Sequence, residues 1–220
     1  LVITSISPPI PILKEYAKEC YSRNIEYIII GDTKSPPDFF IEHCNFFSIS
    51  AQKELNFEIA RQIPEKHYSR KNIGYLIAIN DGAEIIAETD DDNIPLSGFW
   101  RQSKMKTPCY HFVDKGWINI YSYFTDKKIW PRAFPLEFLR DSQPELRDNK
   151  YEMVDCPIQQ GLANDNPDVD AIFRLVNELP VHFKHGPGIA LGKNTWCPFN
   201  SQNTRWFKPA FPLLYLPTYC

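Results

Sequence analysis

Three consecutive carboxylates, Asp90, Asp91 and Asp92, follow the apolar segment "AEIIAE". Carboxylates set this close disfavour one another's ionisation unless a cation offsets them. In an extended segment side chains alternate, so Asp90 and Asp92 project to one side and Asp91 to the other. Hard divalent ions take oxygen ligands, often one or two carboxylates with phosphate oxygens filling the remaining positions. The triplet therefore suits Mn²⁺ or Mg²⁺ held by Asp90 and Asp92 and bridging to a diphosphate. The plain alternative is a solvated acidic turn. The Gly and distal Glu of an EF-hand loop are missing.

Other groups have the chemistry to complete such a site. Arg70 and Lys71 open a predicted helix, where cations and free N–H groups suit a diphosphate; a solvated helix start is the alternative. Asp32 follows a predicted strand and is expected either to accept from a base N–H or ribose hydroxyl, or to cap a turn. "GLANDNPDVDAIFRL" carries the pair Asp168 and Asp170 before apolar helix positions. These are candidates for acid–base work, or simply an N-terminal cap followed by an acidic first turn. His182 and His185 have a spacing compatible with a metal, but the surrounding Pro180 and "GPG" argue for a loop.

The elements that must position these groups alternate in type. "LVITS" reads as a strand. "PILKEYAKECYS" reads as a helix with Leu13, Tyr16, Ala17, Cys20 and Tyr21 on one face and Pro11 in its first turn. "EYIIIGD" and "NFFSIS" read as strands, and "AQKELNFEIARQI" as one helix. "YSRKNIGYLIAINDG" reads as a helix with Ile73, Leu76, Ile77 and Asn80 on one face and Gly82 as its stop. "AEIIAE" is then a buried strand with the aspartates at its carboxyl end. Alternation of this kind predicts an α/β fold with a mostly parallel central sheet flanked by helices, with right-handed crossovers. Ligands of such sheets bind at the carboxyl ends of the strands.

No linker, repeat or low-complexity segment divides the 220 residues. One domain is expected, 1–95 forming its ligand-binding half and 96–220 the other. The chain opens with Leu1 inside a strand and reads as a fragment of something longer. A net charge of −3 gives no support for a nucleic-acid groove. Prolines outnumber glycines 19 to 9, and aromatics and prolines thicken after Trp100, so the second half should be richer in shaped loops. The cysteines show no zinc spacing and are expected as reduced, buried thiols. No transmembrane run is present.

"RKNIGYLIAINDGAEIIAETDDD" resembles the core of the STELLO glycosyltransferase family. "ITSISPPIPIL", "IIIGDTKSPPDF" and "CPFNSQNTRWFKPAFPLLYLPTYC" are similar to its opening and closing segments. More distantly the chain is similar to plant UDP-arabinopyranose mutases, which also carry an Asp-Asp-Asp motif. The resemblance implies a GT-A type nucleotide-diphospho-sugar transferase fold, Mn²⁺ or Mg²⁺, a nucleotide-sugar donor (a UDP-sugar above all) and a glycan or other hydroxyl acceptor. It implies donor-binding roles for Thr4, Ser5, Asp32, Arg70, Lys71, Asp90 and Asp91, and metal roles for Asp90 and Asp92, with His182 or His185 as a late ligand. "NPDVD" is similar to the acidic motif of inverting GT-A enzymes, which makes Asp168 the expected general base and Asp170 its companion. Asn200, Asn203 and Thr204 are implied on the acceptor side. Trp100, Trp117, Trp130 and Trp196 are expected mainly in cores. Plant members are Golgi membrane proteins tied to cellulose synthesis; this chain shows no anchor, and that cell biology is not carried over.

Three competing functions stay open. A nucleotidyltransferase needs a Gly-rich, Arg-containing loop after the first strand, and "SISPPIP" has neither. A sugar-nucleotide mutase is separated by its product. A catalytically silent module of the same fold would show no metal-dependent nucleotide binding.

Overall fold

The computed structural model describes residues 1–219, which fall into two compact units. The first joins Leu1–Gln102 to the stretch from Ser201 onward; the second is Ser103–Asn200.

The first unit runs β1 (Val2–Thr4), α1 (Pro11–Ser22), β2 (Ile28–Ile30), β3 (Asn45–Phe47), α2 (Ile49–Glu54), α3 (Ile59–Gln62), α4 (Lys71–Asn80) and β4 (Ile85–Thr89). Five of its strands align in the order β3-β2-β1-β4 followed by a late strand, Asn203–Phe207. The four early strands are mutually parallel, and the late strand runs antiparallel to β4. The sheet is therefore open and mixed, with the expected parallel part.

β1 and β2 are apolar at every buried position because both faces are covered. Leu1, Ile3 and Ile29 pack in one cluster with Leu13, Tyr16, Ala17 and Cys20 of α1. α4 lies against Val2 and Ile30, so closely that a Cβ on Gly74 would stand 2.5 Å from Val2 Cγ1. Each fully buried isoleucine here contributes about 1.5–3 kcal/mol over exposure.

Several local expectations are corrected. Tyr21 is 65% exposed, because it points off the far side of α1. Ser48 leaves the strand and caps α2, its side chain accepting from Ala51 N, so β3 ends at Phe47. The single helix expected over 51–63 is two short ones; Leu55 and Phe57 interrupt it before α3. A 3₁₀ turn, Tyr68–Arg70, precedes α4. On α4, Ile73 and Ile77 are buried, but Asn80 is exposed and Lys71, Asn72 and Tyr75 are buried in its place. Gly82 does follow the helix, in the left-handed region at φ 84°. On β4, Ile85 is 40% exposed and Ile86 is buried.

The second unit contains a three-stranded sheet in which Lys106–Phe112 lies between Lys150–Asp155 (antiparallel) and Gly188–Leu191 (parallel). Its helix Ala171–Val176 is short, and 3₁₀ turns join much of the rest. Tyr121, Ile129, Trp130, Phe134, Val169, Phe173 and Val181 form its core. The looser second half is as expected from the prolines. Among the described residues the cysteines are free thiols; Cys220 lies outside them. No helix of the described chain is long and apolar enough to cross a membrane.

Candidate functional site

β1 and β2 end side by side, and a cleft of about 320 Å³ opens beyond their carboxyl ends. It is lined by Thr4, Ser5 and Ile6 after β1, by Gly31–Lys34 after β2, by Lys66–Tyr68 and Arg70 before α4, and by Asp91 after β4. That volume is at the small end of small-molecule sites.

Asp32 organises one wall. Its carboxylate accepts from the backbone N–H groups of Thr33 (2.6 Å), Lys66 (2.9 Å) and His67 (3.2 Å). The turn-capping alternative thus describes what Asp32 does here, and it ties the 66–67 loop to the end of β2. Lys66 takes a positive φ of 58° in that loop. His67 and Tyr68 stack at 4.7 Å between ring centroids, and Tyr68 is 47% exposed.

Arg70 is 1% exposed. Its Nε and Nη2 donate to Gln52 Oε1 and its Nη1 to Ile63 O. Gln52 in turn donates to Gly31 O (2.8 Å) and Phe47 O (2.7 Å). The solvated-helix alternative does not describe Arg70: it is a buried cation whose hydrogen-bond partners are neutral. Burial lowers its pKa, opposed by the charges of Asp32 and Glu65.

The aspartates occupy a turn, not an extended segment: β4 stops at Thr89, and Asn93 N donates to Asp90 O (3.3 Å). Strict alternation therefore does not apply, and each carboxylate has its own surroundings. Asp91 Oδ2 accepts from Ser5 Oγ (2.5 Å) and Ser7 Oγ (3.0 Å), which faces it to the cleft. Asp90 Oδ1 lies 3.3 Å from Lys71 Nζ. Asp92 is exposed and enters no ion pair among the described residues.

Lys71 is buried beneath this turn rather than open to the cleft. Its ammonium also reaches Thr89 O (3.2 Å), Ser201 O (3.5 Å) and Glu88 Oε2 (3.9 Å). Glu88 is 2% exposed and accepts from Tyr75 Oη and from Trp206 Nε1 (2.7 Å). Burial pushes its carboxyl above the ordinary value, opposed by Lys71 and by those two donors. Within "AEIIAE" Glu88 reads as one more strand residue, and nothing in the pattern marked Gln52, Ser7 or Asn93. The closest signal was "SIS" after β1, two hydroxyls at strand spacing.

The remaining expected site residues lie in the second unit or on the sheet. Asp168 Oδ1 pairs with Arg132 Nε at 2.7 Å. Asp170 caps Ala171–Val176, its Oδ1 accepting from Phe173 N (2.7 Å) and its Oδ2 from Trp130 Nε1 (2.6 Å). The Arg174 guanidinium donates to Asn166 Oδ1 (2.8 Å). His182 Nε2 is 2.7 Å from Asp165 Oδ1, and His185 is exposed. Thr204 is fully buried opposite Glu88 in the late strand. Among the described residues no three His, Cys, Asp or Glu side chains converge as a ready-made metal cluster. The hard oxygen set of the aspartate turn still fits a cation that completes its shell from a ligand's phosphates.

Acidic, cationic and hydroxyl groups thus gather at the carboxyl ends of an open α/β sheet, the place where ligands of such sheets bind. The chain is similar to two proteins of Arabidopsis thaliana, "Probable glycosyltransferase STELLO2" and "Probable glycosyltransferase STELLO1". It is 29% identical to the first over 211 residues, 87% of this chain and 28% of that protein. It is 28% identical to the second over 236 residues, 99% of this chain and 30% of that protein. The chain thus spans less than a third of the length of these relatives. No protein-family model matches it. Likeness along nearly the whole chain supports a general relationship to glycosyltransferases.

Proposed function

We propose that the chain is a GT-A type domain of a metal-dependent glycosyltransferase, which takes a nucleotide sugar, a UDP-sugar above all, and passes the sugar to a hydroxyl of a glycan or other acceptor. The observation that carries this reading is the aspartate turn at the carboxyl end of β4, whose Asp91 enters the wall of the cleft. The similarity to the two plant proteins supports it.

In this reading the cleft takes the nucleoside. The exposed face of Tyr68 offers stacking to a base, and Thr4, Ser5 and Asp91 offer hydrogen bonds to base or ribose. Arg70, a buried cation with neutral partners, biases the cleft toward an anionic ligand together with Lys34 and Lys66. Asp92, exposed and in no ion pair among the described residues, is the first metal ligand; Asp90 is a weaker one because Lys71 already faces it. A bound Mn²⁺ or Mg²⁺ supplies charge stabilisation for a departing diphosphate. The acceptor base is Asp168, since both oxygens of Asp170 are already engaged, Oδ1 by the helix cap at Phe173 N and Oδ2 by Trp130 Nε1.

The test is calorimetric titration of nucleotides with and without Mn²⁺. UDP is expected to bind more tightly with Mn²⁺ than without, and more tightly than GDP or dTDP. Asp92→Asn should abolish the Mn²⁺ effect while the protein melts at the wild-type temperature. An Asp92→Asn protein that keeps Mn²⁺-dependent UDP binding removes the metal assignment. Wild-type protein with no nucleotide affinity under any condition removes the whole reading in favour of a silent module.

A further inference from the structure

The three aspartates are followed by an asparagine, and its bonds fan out to three other elements. Asn93 N closes the turn on Asp90 O. Asn93 Nδ2 donates to Thr89 Oγ1 (3.0 Å) at the end of β4 and to Gln202 O (2.8 Å) just before the late strand. Thr89 Oγ1 donates to that same Gln202 carbonyl (2.8 Å). Asn93 O accepts from Tyr16 Oη of α1 (2.9 Å). Tyr16 is fully buried, so its hydroxyl has a fixed place from which to donate.

These bonds do what the carboxylates cannot do for themselves. Adjacent carboxylates disfavour one another's charged form. Asn93 ties the turn from behind, through groups that are neutral and so leave the carboxylate charge available for a cation. We infer that Asn93 is a positioning residue that holds the aspartate turn in its cation-receiving shape by bonding it to α1, β4 and the segment before the late strand. The inference rests on the metal-dependent nucleotide reading given above. Side chains that orient a metal-binding group from behind commonly change metal affinity by about 10- to 100-fold when removed.

The experiment compares wild type, Asn93→Ala and Tyr16→Phe by UDP calorimetry with Mn²⁺ and in chelator, alongside thermal melts. The expected result is a Mn²⁺-dependent UDP affinity about tenfold or more weaker in Asn93→Ala. Tyr16→Phe, which loses one bond of the set, should show a smaller loss. UDP affinity in chelator and the melting temperature should stay near wild type, because a residue that merely held the fold would move both. Equal Mn²⁺-dependent affinity in Asn93→Ala and wild type overturns the positioning role and leaves the nucleotide reading standing. Parallel losses with and without Mn²⁺ also overturn it, since the turn would then serve the fold in general. Wild-type protein that binds UDP with no Mn²⁺ effect overturns the metal reading and this role with it.

Discussion

Replacing Gln52 by alanine removes two donors and one acceptor in a single step. Gly31 O and Phe47 O lose a partner, and the buried guanidinium of Arg70 loses the oxygen that takes two of its N–H groups. Each buried polar group left unpaired costs about 1–3 kcal/mol. Gln52→Ala is therefore expected to lower unfolding free energy by at least about 2 kcal/mol in urea titration; a loss under about 0.5 kcal/mol would show that water replaces the glutamine. At this scale the sequence was legible for residue type and poorly legible for role. Arg70 at a helix start looks like an open cation, because spacing alone carries no information about what closes over it. Asp32 looked equally suited to a ligand and to a turn; two backbone N–H groups from a loop more than thirty positions away, with that of the adjacent Thr33, settled its surroundings. The aspartates themselves were visible because charge density is a local property. Their division into one facing serines, one facing lysine and one exposed was not, because β4 ends at Thr89 and the aspartates turn where alternation assumes an extended segment.

Among the elements, α4 shows most directly how close packing aligns the site. Gly74 admits the helix to within contact of β1 and β2, and that approach brings Lys71, one turn earlier, beneath the aspartate turn. A Cβ at this position meets Val2 Cγ1 at 2.5 Å and Ile30 Cγ1 at 3.0 Å, inside a face with no slack. Gly74→Ala is expected to destabilise by about 1–3 kcal/mol, the range for overpacking a filled core, despite alanine's better helix propensity. An unchanged or raised urea midpoint would mean that the helix withdraws freely. The strand–helix alternation up to β4 was readable because apolar period and β-branched runs are short-range signals. The split of 51–63 into two short helices was not, since no glycine or proline marks it. The late strand escaped as well, because an antiparallel partner more than a hundred residues away leaves no local mark.

At the scale of the molecule, the proposed function draws its binding and its acid–base chemistry from different units. The cleft and the aspartate turn belong to the first, while Asp168 belongs to the second, paired with Arg132. Asp168→Asn keeps the size of the side chain and an oxygen for Arg132. Under the proposed function it should leave Mn²⁺-dependent UDP affinity unchanged and lower turnover by about 10²-fold or more, the scale of a lost general base. A product that keeps the donor's anomeric configuration would assign the chemistry elsewhere, and so would full activity in the variant. The sequence gives no composition break at 102 or 200, so the two units could not be told from one; the first is assembled from both ends of the chain, which no linear pattern announces.

The late strand also imposes an order on biosynthesis. A ribosome delivers β1 to β4 first, and the aspartate turn emerges with them. Until Asn203–Phe207 follows, β4 has a bare edge, Trp206 has not reached Glu88, and Gln202 has not met Asn93 and Thr89. A nascent or prematurely terminated chain therefore carries its acidic turn without the brace and leaves the outer edge of β4 unpaired toward other chains. The aspartate turn is fully braced only when nearly all of the residues described here have been made, so a chain truncated before Phe207 lacks both the brace and the partner of the β4 edge.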